Sequence, residues 1–400
     1  MNSINSIKIR NIGPIKEVFL DLNKVNVIMG PQSSGKSTIA KIISYCHWVE
    51  KHYILEHSLD SMSEQLKEFH RMNDTYFNDD SYFEYIGDVL TIIGKNQRVE
   101  LTDIKEEIFF ENNKNIYIPA ERNLVFVVQN LGKYKRTNDN IMNFIYDWGE
   151  VRQKYKKDNK FPILGLNVSY YYDEENASDI LILEKSQKEL LLNYASSGLQ
   201  SVVPMLVVFD YLTDALYREK TSPSIDEKKQ IADSLYKYYS LLKEKKNNES
   251  NIENSGDLLQ LFQKQTEYHF SRFIIEEPEQ NLFPETQRDL IYYILQKIND
   301  KGRNHQLTLT THSPYILYAL NNCMMGYVVK DKMPEEEQNK IKSKEAWINP
   351  QSVSIWEIED GKIKIIQGED GLIENNYFDN AMKNVMDDFY AMLNYYGDEE

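Results

Sequence analysis

The sequence has few cysteines and no long hydrophobic run, and these two features limit the classes of protein to which it can belong. Its 400 residues include two cysteines, Cys46 and Cys323, which are too few for a disulfide scaffold or a four-cysteine zinc site. No stretch approaches the roughly 18 uncharged apolar residues that a membrane helix needs. The opening MNSINSIKIRNIG lacks the apolar segment of a secretory signal. We therefore expect a cytoplasmic protein with reduced thiols.

Positive charge is also in short supply. Lys and Arg number 46 against 62 Asp and Glu, which gives a net charge of −16. This balance argues against a protein that coats nucleic acid along its length, but it leaves room for one local basic groove. Residues 133–160, with eight bases against four acids and with Tyr134 and Tyr155, are the candidate. A solvated surface is the simpler explanation of the same bases.

Strand-like and helix-like patterns alternate along the chain. Residues 5–30 predict two alternating strands and one buried strand, and the segments FIIEE and HQLTLTTH predict two more buried strands. Helical patterns follow several of these strands, and residues 56–113 and 216–268 predict further helices, the second with a flexible tip. This alternation predicts an α/β fold. We expect a mixed or parallel central sheet with N-terminal antiparallel strands and helical insertions.

A phosphate-binding loop is the clearest motif. GPQSSGKS at residues 30–37 matches the pattern G-x-x-x-x-G-K-[ST] between a predicted strand and a predicted helix. In such a loop the backbone N–H groups and the helix N-terminus face the phosphates, the lysine reaches the β- and γ-phosphates, and the serine hydroxyl binds Mg²⁺. The predicted nucleotide-binding residues are Gly30, Pro31, Gln32, Ser33, Ser34, Gly35, Lys36, Ser37 and Thr38, with Lys36 also catalytic and Ser37 also a metal ligand.

Two carboxylates and a histidine lie at the ends of later predicted strands. Glu276 and Glu277 end the strand FIIEE, and His312 ends HQLTLTTH 35 residues after Glu277. An ATP-hydrolysing site needs one carboxylate near Mg²⁺ and a second to deprotonate the attacking water. We expect Glu276 to hold the metal through a water, Glu277 to act as catalytic base, and His312 to contact the γ-phosphate or the water.

A weaker signal is the signature segment, SSGLQ at residues 196–200, which opens a predicted helix. Small residues at a helix N-terminus bind phosphate well, although a plain helix cap explains the same sequence. Beside the other motifs, it makes the chain resemble the ABC-type ATPases. The segment stands where those proteins have LSGGQ, keeps Ser197, Gly198 and Gln200, and replaces the second glycine with Leu199.

The resemblance is to the soluble branch that includes the SMC, RecF and OLD ATPases. It rests on IKIRNIGPIKEV near the start, YIPAER at residues 117–122, EEPEQNLFP at 276–284 and TTHSPYIL at 311–318. It implies ATP and Mg²⁺ as cofactors and a homodimer or higher homo-oligomer. Two heads would pack head-to-tail around two ATP molecules. Ser197, Gly198 and Gln200 would then bind nucleotide held by Lys36 of the second copy, with residues 279–284 at the dimer seam.

Some assignments stay open at this level. The glutamine that contacts the metal in such ATPases is either Gln32 or Gln129, and Arg122 is expected to contact phosphate or a neighbouring carboxylate. Residues 377–396 mix acids with aromatics. Val385, Met386, Phe389 and Leu393 have helical spacing there, which predicts either a docking helix for a partner or a helix packed on its own domain.

The resemblance suggests the following division of the chain, which is an expectation. The segments are an N-terminal ATPase lobe (1–55), a helical insertion (56–114), an ATPase segment with the signature (115–210), a second helical insertion (211–268), an ATPase segment with the carboxylates and His312 (269–330), and a C-terminal hairpin with an acidic helical tail (331–400).

Three functions fit these motifs. The first is a regulatory ATPase of a bacterial anti-phage defence system that acts with a separate effector protein. The second is a DNA-binding ATPase of RecF or SMC type in repair or recombination, which requires the basic groove. The third is a scaffold that binds ATP without turnover, which an intact Glu277 and His312 argue against. We also expect no Toprim nuclease domain, since the chain ends about 90 residues after His312.

Overall fold

A large mixed sheet dominates the fold. The computed structural model describes residues 5–56, 63–95, 98–104, 111–127, 139–218, 229, 267–300, 302–393 and 395–396. The strands in these residues are β1 Asn5–Ile12, β2 Ile15–Leu22, β3 Val25–Met29, β4 Phe77–Ile86, β5 Thr91–Lys95, β6 Arg98–Thr102, β7 Asn113–Ile118, β8 Phe161–Pro162, β9 Val168–Asp173, β10 Ser178–Leu183, β11 Lys188–Leu191, β12 Phe270–Glu276, β13 Gln306–Thr311, β14 Val353–Glu359 and β15 Lys362–Ile365. Eleven of them form one sheet in the order β6-β5-β4-β1-β2-β15-β14-β3-β13-β12-β7, and the other four form a small sheet in the order β11-β10-β9-β8.

Helices cover both faces of the large sheet. The α-helices in the described residues are α1 Lys36–Glu56, α2 Leu124–Val127, α3 Asn140–Val151, α4 Ser197–Asp210, α5 Leu216–Arg218, α6 Pro284–Ile298, α7 Pro314–Val329, α8 Glu335–Gln338 and α9 Tyr377–Leu393. One hydrophobic core includes residues of α1 such as Ile39 and Ile43, and the other includes residues of α4, α6 and α7 such as Leu206, Leu290 and Leu317. The sheet is therefore the middle layer of an α/β sandwich.

The central strands are parallel, and they are buried on both faces. Strands β14, β3, β13, β12 and β7 pair in parallel, and every residue of VNVIM in β3 and FSRFIIE in β12 is buried. Strands buried along their whole length are typical of parallel sheets that helices cover on both sides. The predicted fold class, a mixed sheet with antiparallel N-terminal strands, is confirmed, since β1 pairs antiparallel with β2.

The prediction of helix across residues 56–113 is wrong for much of that segment. Strands β4, β5 and β6 occupy Phe77–Thr102 and extend the antiparallel part of the sheet beyond β1. In β4 the buried residues Ser81, Phe83 and Tyr85 alternate with more exposed ones. That two-residue period is the signature of a half-buried strand, and it outweighs the polar composition that suggested a helix.

Two further sequence predictions concern residues 216–268 and the acidic tail. The charged helices and flexible tip expected over 216–268 lie almost wholly outside the described residues. Helix α9 forms where the acidic tail was predicted to be helical. None of its residues is buried, and Val385 and Phe389 are 65% and 51% exposed. Within the described residues the predicted apolar spacing therefore forms an exposed stripe.

The helical stretch Ser197–Arg218 is long and largely apolar. Within the residues that the structure covers, Ser197–Arg218 has the length and apolar composition of a membrane span. It comprises α4, a π-helical turn at Tyr211–Ala215 and α5. Most of its apolar window is buried inside the protein, as expected for a core helix.

Core burial in the C-terminal hairpin gives a stability prediction. Ile355 in β14 is fully buried, whereas Ile365 in β15 is 59% exposed. We expect Ile355→Ala to lower the free energy of unfolding by about 2–5 kcal/mol, because it removes buried methyl groups and leaves a cavity. Ile365→Ala, the matched control, should change it by less than about 0.5 kcal/mol. Urea denaturation monitored by circular dichroism measures both, and equal losses would contradict this packing.

Candidate nucleotide-binding site

The register of three parallel strands brings the predicted site residues together. Met29 of β3 pairs with Thr311 of β13, and Thr310 of β13 pairs with Glu276 of β12. The residues that follow these strands are Gly30, His312 and Glu277. They consequently leave neighbouring strands at one edge of the sheet, with His312 between the phosphate loop and Glu277. The predicted proximity of Glu277 and His312 is confirmed.

The phosphate loop requires glycine at two positions. Gly30 and Gly35 have φ angles of +153° and +110°, which residues other than glycine rarely adopt. A Cβ at Gly30 would collide with the carbonyl of Ile358, and a Cβ at Gly35 would collide with the side chain of Ile15. The loop therefore fits closely between β14 and the β1–β2 turn, and it leads directly into α1 at Lys36.

Lys36 is buried at the start of α1. It is 6% exposed, and its Nζ donates to the carbonyls of Gly30 and Pro31 at 2.8 and 2.7 Å. Burial lowers the pKa of Lys36, although the nearby Glu277 carboxylate acts in the opposite direction. The next residue, Ser37, is exposed at the helix N-terminus, so its hydroxyl is accessible to a bound ligand.

Glu276 ends β12 in a buried position. It is 4% exposed, and its Oε1 has no hydrogen bond of normal geometry among the described residues, although the side chain interacts with the buried Tyr117 hydroxyl. Thr310 Oγ1 on the paired strand and Ser34 Oγ in the phosphate loop are also buried and unpartnered there. Buried polar atoms normally have partners, so oxygens of this kind suit a hydrated cation such as Mg²⁺. The described residues contain no group of three or more His, Cys, Asp or Glu ready to hold a metal by themselves.

Glu277 and His312 form the charged centre of the site. His312 Nδ1 lies 3.5 Å from Glu277 Oε1, which is an ion-pair distance and not a short hydrogen bond. The interaction of the two side chains raises the pKa of His312 and lowers that of Glu277, while partial burial of each group acts in the opposite direction. Glu277 is therefore ionised at neutral pH, as a base must be.

Glu279 accepts a hydrogen bond from the backbone of His312 and so holds it in place, a role that the sequence did not predict. It is 5% exposed, and its Oε1 accepts hydrogen bonds from Thr311 Oγ1 and from the backbone N–H of His312, both at 2.8 Å. Burial raises its pKa. The available signal was the three threonines, Thr308, Thr310 and Thr311, in a strand predicted to be buried, because buried hydroxyls need polar partners.

Arg122 binds main-chain carbonyls and not the neighbouring carboxylate that was one of its two expected partners. It is 1% exposed, and its guanidinium donates to main-chain carbonyls, among them those of Glu276 and Glu277 at 2.8 Å. The expected contact with a neighbouring carboxylate is therefore wrong. The alternative, contact with a bound phosphate, stays a prediction, and it would require the guanidinium to exchange these carbonyls for phosphate oxygens. A guanidinium has five donors, and a buried one takes the acceptors that a turn leaves unpaired.

The signature segment begins α4 as predicted. Ser196 caps the helix, with its Oγ accepting from Leu199 N, and the next residue, Ser197, is exposed. Gln200 Nε2 donates to the carbonyls of Asn193 and Ala195 at 2.9 and 3.0 Å. That side chain therefore holds the preceding loop in this structure. Of the two glutamines considered for metal contact, Gln32 is exposed in the phosphate loop, and Gln129 lies outside the described residues.

The basic segment does not form an open cationic groove in its described part. Tyr155 is buried, and its hydroxyl donates to Asp210. Four bases pair with carboxylates of the small sheet or its turns at 2.8–3.0 Å; the pairs are Arg152–Asp179, Lys156–Glu174, Lys157–Glu189 and Lys160–Glu184. Residues 133–138, including Tyr134, lie outside the described residues.

Comparison with protein families settles the class of the chain. The family described as AAA domain matches residues 6–270. The chain belongs to this AAA domain family. A second family, described as AAA ATPase domain, matches residues 257–317, which contain Glu276, Glu277 and His312. The predicted class of P-loop ATPase is thereby confirmed, and nucleotide binding with ATP hydrolysis is the activity that the family carries. No curated protein matches the sequence.

Solved structures similar to this AAA domain include SMC heads and ATP-binding cassettes. The SMC head domain from Thermotoga maritima is 10% identical, with a TM-score of 0.40 over 92% of this chain and 99% of that one. The Smc head from Pyrococcus furiosus bound to the C-terminal domain of ScpA is 10% identical, with a TM-score of 0.37 over 96% and 98%. A dimeric ATP-binding cassette bound to ADP and Pi is 12% identical, with a TM-score of 0.30 over 90% and 99%.

The ion pair of the AAA domain predicts a pH dependence. The raised pKa of His312 means that its protonated form stabilises the fold below the ordinary imidazole pKa of about 6.5. This contribution is lost as pH rises through the raised value. The lowered pKa of Glu277 means that its ionised form also stabilises the fold. This contribution is present above the ordinary carboxyl pKa and is lost as pH falls through the lowered value.

We expect Glu277→Gln to lower the pKa of His312, because a neutral amide no longer favours the imidazolium. Titration of the histidine ring protons by NMR measures the shift. His305 is an internal control, since burial at the other edge of the sheet, away from Glu277, lowers its pKa to about 4 and the variant should leave that value alone. An unchanged His312 titration would contradict the pairing.

Proposed function

We propose that this AAA domain is an ATP-driven switch in which two copies dimerise head-to-tail around two Mg·ATP molecules. The arrangement of Glu277, His312 and the phosphate loop on adjacent strand ends carries this proposal. It assembles a phosphate site, a base and a polarising imidazole at one edge. Ser197, exposed at the N-terminus of α4, is accessible to the γ-phosphate held by another copy.

Binding begins at the phosphate loop. The N–H groups of residues 30–37 and the N-terminus of α1 attract the phosphate oxygens. Lys36 now binds the carbonyls of Gly30 and Pro31, and it would exchange them for the β- and γ-phosphate oxygens. Because Lys36 is already desolvated, that exchange costs less than burial of a hydrated ammonium.

The metal would be held by the Ser37 hydroxyl and, through a water, by Glu276. The unpartnered Oε1 of Glu276 fits this role. When bound, Mg²⁺ supplies positive charge that neutralises the charge developing on the phosphate oxygens. Since Mg²⁺ takes one or two carboxylates and completes its octahedron with waters and phosphate oxygens, the small number of protein ligands is adequate.

Glu277 would accept the proton of the attacking water on its carboxylate. Its lowered pKa keeps it ionised, and His312 restrains it from the side of the phosphate loop. Protonated His312 would in turn donate a hydrogen bond to the γ-phosphate. ATP then favours the closed dimer, whereas ADP, which lacks the γ-phosphate bound by Ser197 and Gly198 of the second copy, favours the open one.

For the biological role, we propose a sensor or regulatory ATPase of bacterial anti-phage defence that acts through a separate effector protein. The likeness of its motifs to the soluble OLD-type branch supports this, and the exposed apolar stripe of α9 offers a place for a partner. The DNA-repair alternative is less well supported, because four of the five described bases of its expected groove pair with carboxylates.

The dimer is tested by solution mass. We expect Glu277→Gln to bind ATP, to stop turnover and to accumulate as an ATP-dependent dimer, because the base is lost while the phosphate contacts remain. Light scattering with and without Mg·ATP measures this. Glu285→Gln, which neutralises an exposed carboxylate in the first turn of α6, is the matched control and should hydrolyse ATP at the parental rate.

Two results would contradict the proposal. One is a Glu277→Gln variant that hydrolyses ATP like the parent, which would remove Glu277 as the base. The other is a monomer whose mass ATP does not change, which would remove the sandwich. Lys36→Ala should abolish nucleotide-dependent assembly, so any assembly that survives in it arises from other surfaces.

The metal role of Glu276 is tested by magnesium titration of the ATPase rate. We expect Glu276→Gln to require at least about tenfold more Mg²⁺ for half-maximal activity, since the buried negative charge that favours the cation is removed. Binding of ATP without Mg²⁺ should be unchanged. An unaltered Mg²⁺ requirement would exclude Glu276 from the metal site.

A further inference from the structure

Arg122 is a buried charged residue that binds both helix α4 and the turn that carries Glu277. It lies in the 3₁₀ turn Ala120–Asn123, directly after β7, and is 1% exposed. A guanidinium without partners would be very costly there, because burial of a charge needs compensating hydrogen bonds. Five carbonyls supply them: Pro119 at 3.2 Å, Ser201 at 3.2 Å, Glu276 at 2.8 Å, Glu277 at 2.8 Å and Pro278 at 3.4 Å.

Three of these acceptors form the catalytic turn, residues 276–278. Glu277 at its centre has a φ of +44°, a left-handed conformation that residues other than glycine adopt only when the surroundings impose it. Nη1 and Nη2 of Arg122 bind the carbonyls of Glu276 and Glu277. These two bonds fix the backbone on both sides of the strained φ and so the direction in which the Glu277 side chain leaves the chain.

The remaining nitrogen of the same group points to a different element. Nε of Arg122 donates to the carbonyl of Ser201, one turn into α4, the helix that begins with Ser197 and Gly198. The helix start also packs directly on the loop after the catalytic turn. A Cβ added at Gly198 would lie 2.7 Å from the carbonyl of Asn281. The signature helix and the catalytic turn are thus joined at two points.

We propose that Arg122 is a positioning residue that couples the signature helix to the catalytic turn, so that capture of a second copy's ATP by Ser197 and Gly198 aligns Glu277 of the same chain. This inference rests on the proposed head-to-tail dimer. A guanidinium is planar and rigid, so a movement of α4 must either break the bond to Ser201 or displace the carbonyls of Glu276 and Glu277. Each subunit would then hydrolyse its own ATP fastest when its signature segment is engaged.

The first test is Arg122→Lys, which keeps the charge but replaces the fork with a single ammonium. We expect kcat to fall by about 10²-fold, the size of effect that a small misplacement of a catalytic group produces, with KM for ATP unchanged. Arg272→Lys is the matched control. Arg272 is equally buried and binds Glu50, Asp88 and Gln306 at the opposite edge of the sheet, so its loss should reduce stability and leave kcat alone.

The coupling itself is tested by a double-mutant cycle on kcat with Ser197→Ala. If Arg122 carries the effect of the signature segment to Glu277, Ser197→Ala should lower kcat by a smaller factor in the Arg122→Lys background than in the parent. We expect the two factors to differ by at least about twofold. The same cycle with Arg272→Lys should be additive.

Each outcome bears on the inference. Additive effects of Ser197→Ala and Arg122→Lys, or a change in KM with kcat preserved, would overturn it. If Arg122→Lys does not fold, Arg122→Gln, whose amide can still donate two hydrogen bonds, takes its place in the same cycle. Failure of the dimer proposal is distinguishable, because it would show as a parental protein whose mass ATP does not change, whereas failure of this inference leaves an ATP-dependent dimer with independent sites.

Discussion

The shared register of β3, β13 and β12 is the constraint on which the rest of the molecule depends. These strands are buried on both faces, and a shift of one residue in any of them would turn its side chains toward the opposite helical layer. Packing therefore fixes where each strand ends. The phosphate loop, His312 and the catalytic turn begin at those ends, so the alignment of the site follows from the packing of the core.

The site is unusual in how much charge it buries. Lys36, Arg122, Glu276 and Glu279 are each less than 10% exposed. Main-chain carbonyls hold Lys36 and Arg122, and the Thr311 hydroxyl and the His312 N–H hold Glu279 Oε1. Glu276 Oε1 and Glu279 Oε2 have no hydrogen bond of normal geometry among the described residues. Such an arrangement keeps polar groups fixed and dry, which strengthens their interaction with a charged phosphate. It also gives Thr311 of β13 a role, since its hydroxyl donates to the buried Glu279 carboxylate.

Most of this architecture was predictable from the sequence, because it depends on local patterns. The buried runs predicted β3, β12 and β13, and the glycine spacing predicted the phosphate loop. The strands β4–β6 were missed because a half-buried strand with tyrosines among acids has little net hydrophobicity. The role of Arg122 was not predictable, since its partners are main-chain atoms that only the folded chain brings near, and a sequence pattern encodes side chains. Glu279 had only a weak signal in the sequence, the threonine whose hydroxyl donates to it.

That same reliance of Arg122 on main-chain atoms has an evolutionary consequence. A guanidinium that binds carbonyl oxygens recognises the path of the backbone and is indifferent to which side chains the turn carries. Positions 276–278 can therefore exchange side chains, and with them chemistry, while the scaffold beneath stays intact. A substitution at the turn would change the side chains offered to a ligand without removing these two hydrogen bonds. A mutation of the buried arginine, in contrast, would disturb every variant of the site alike.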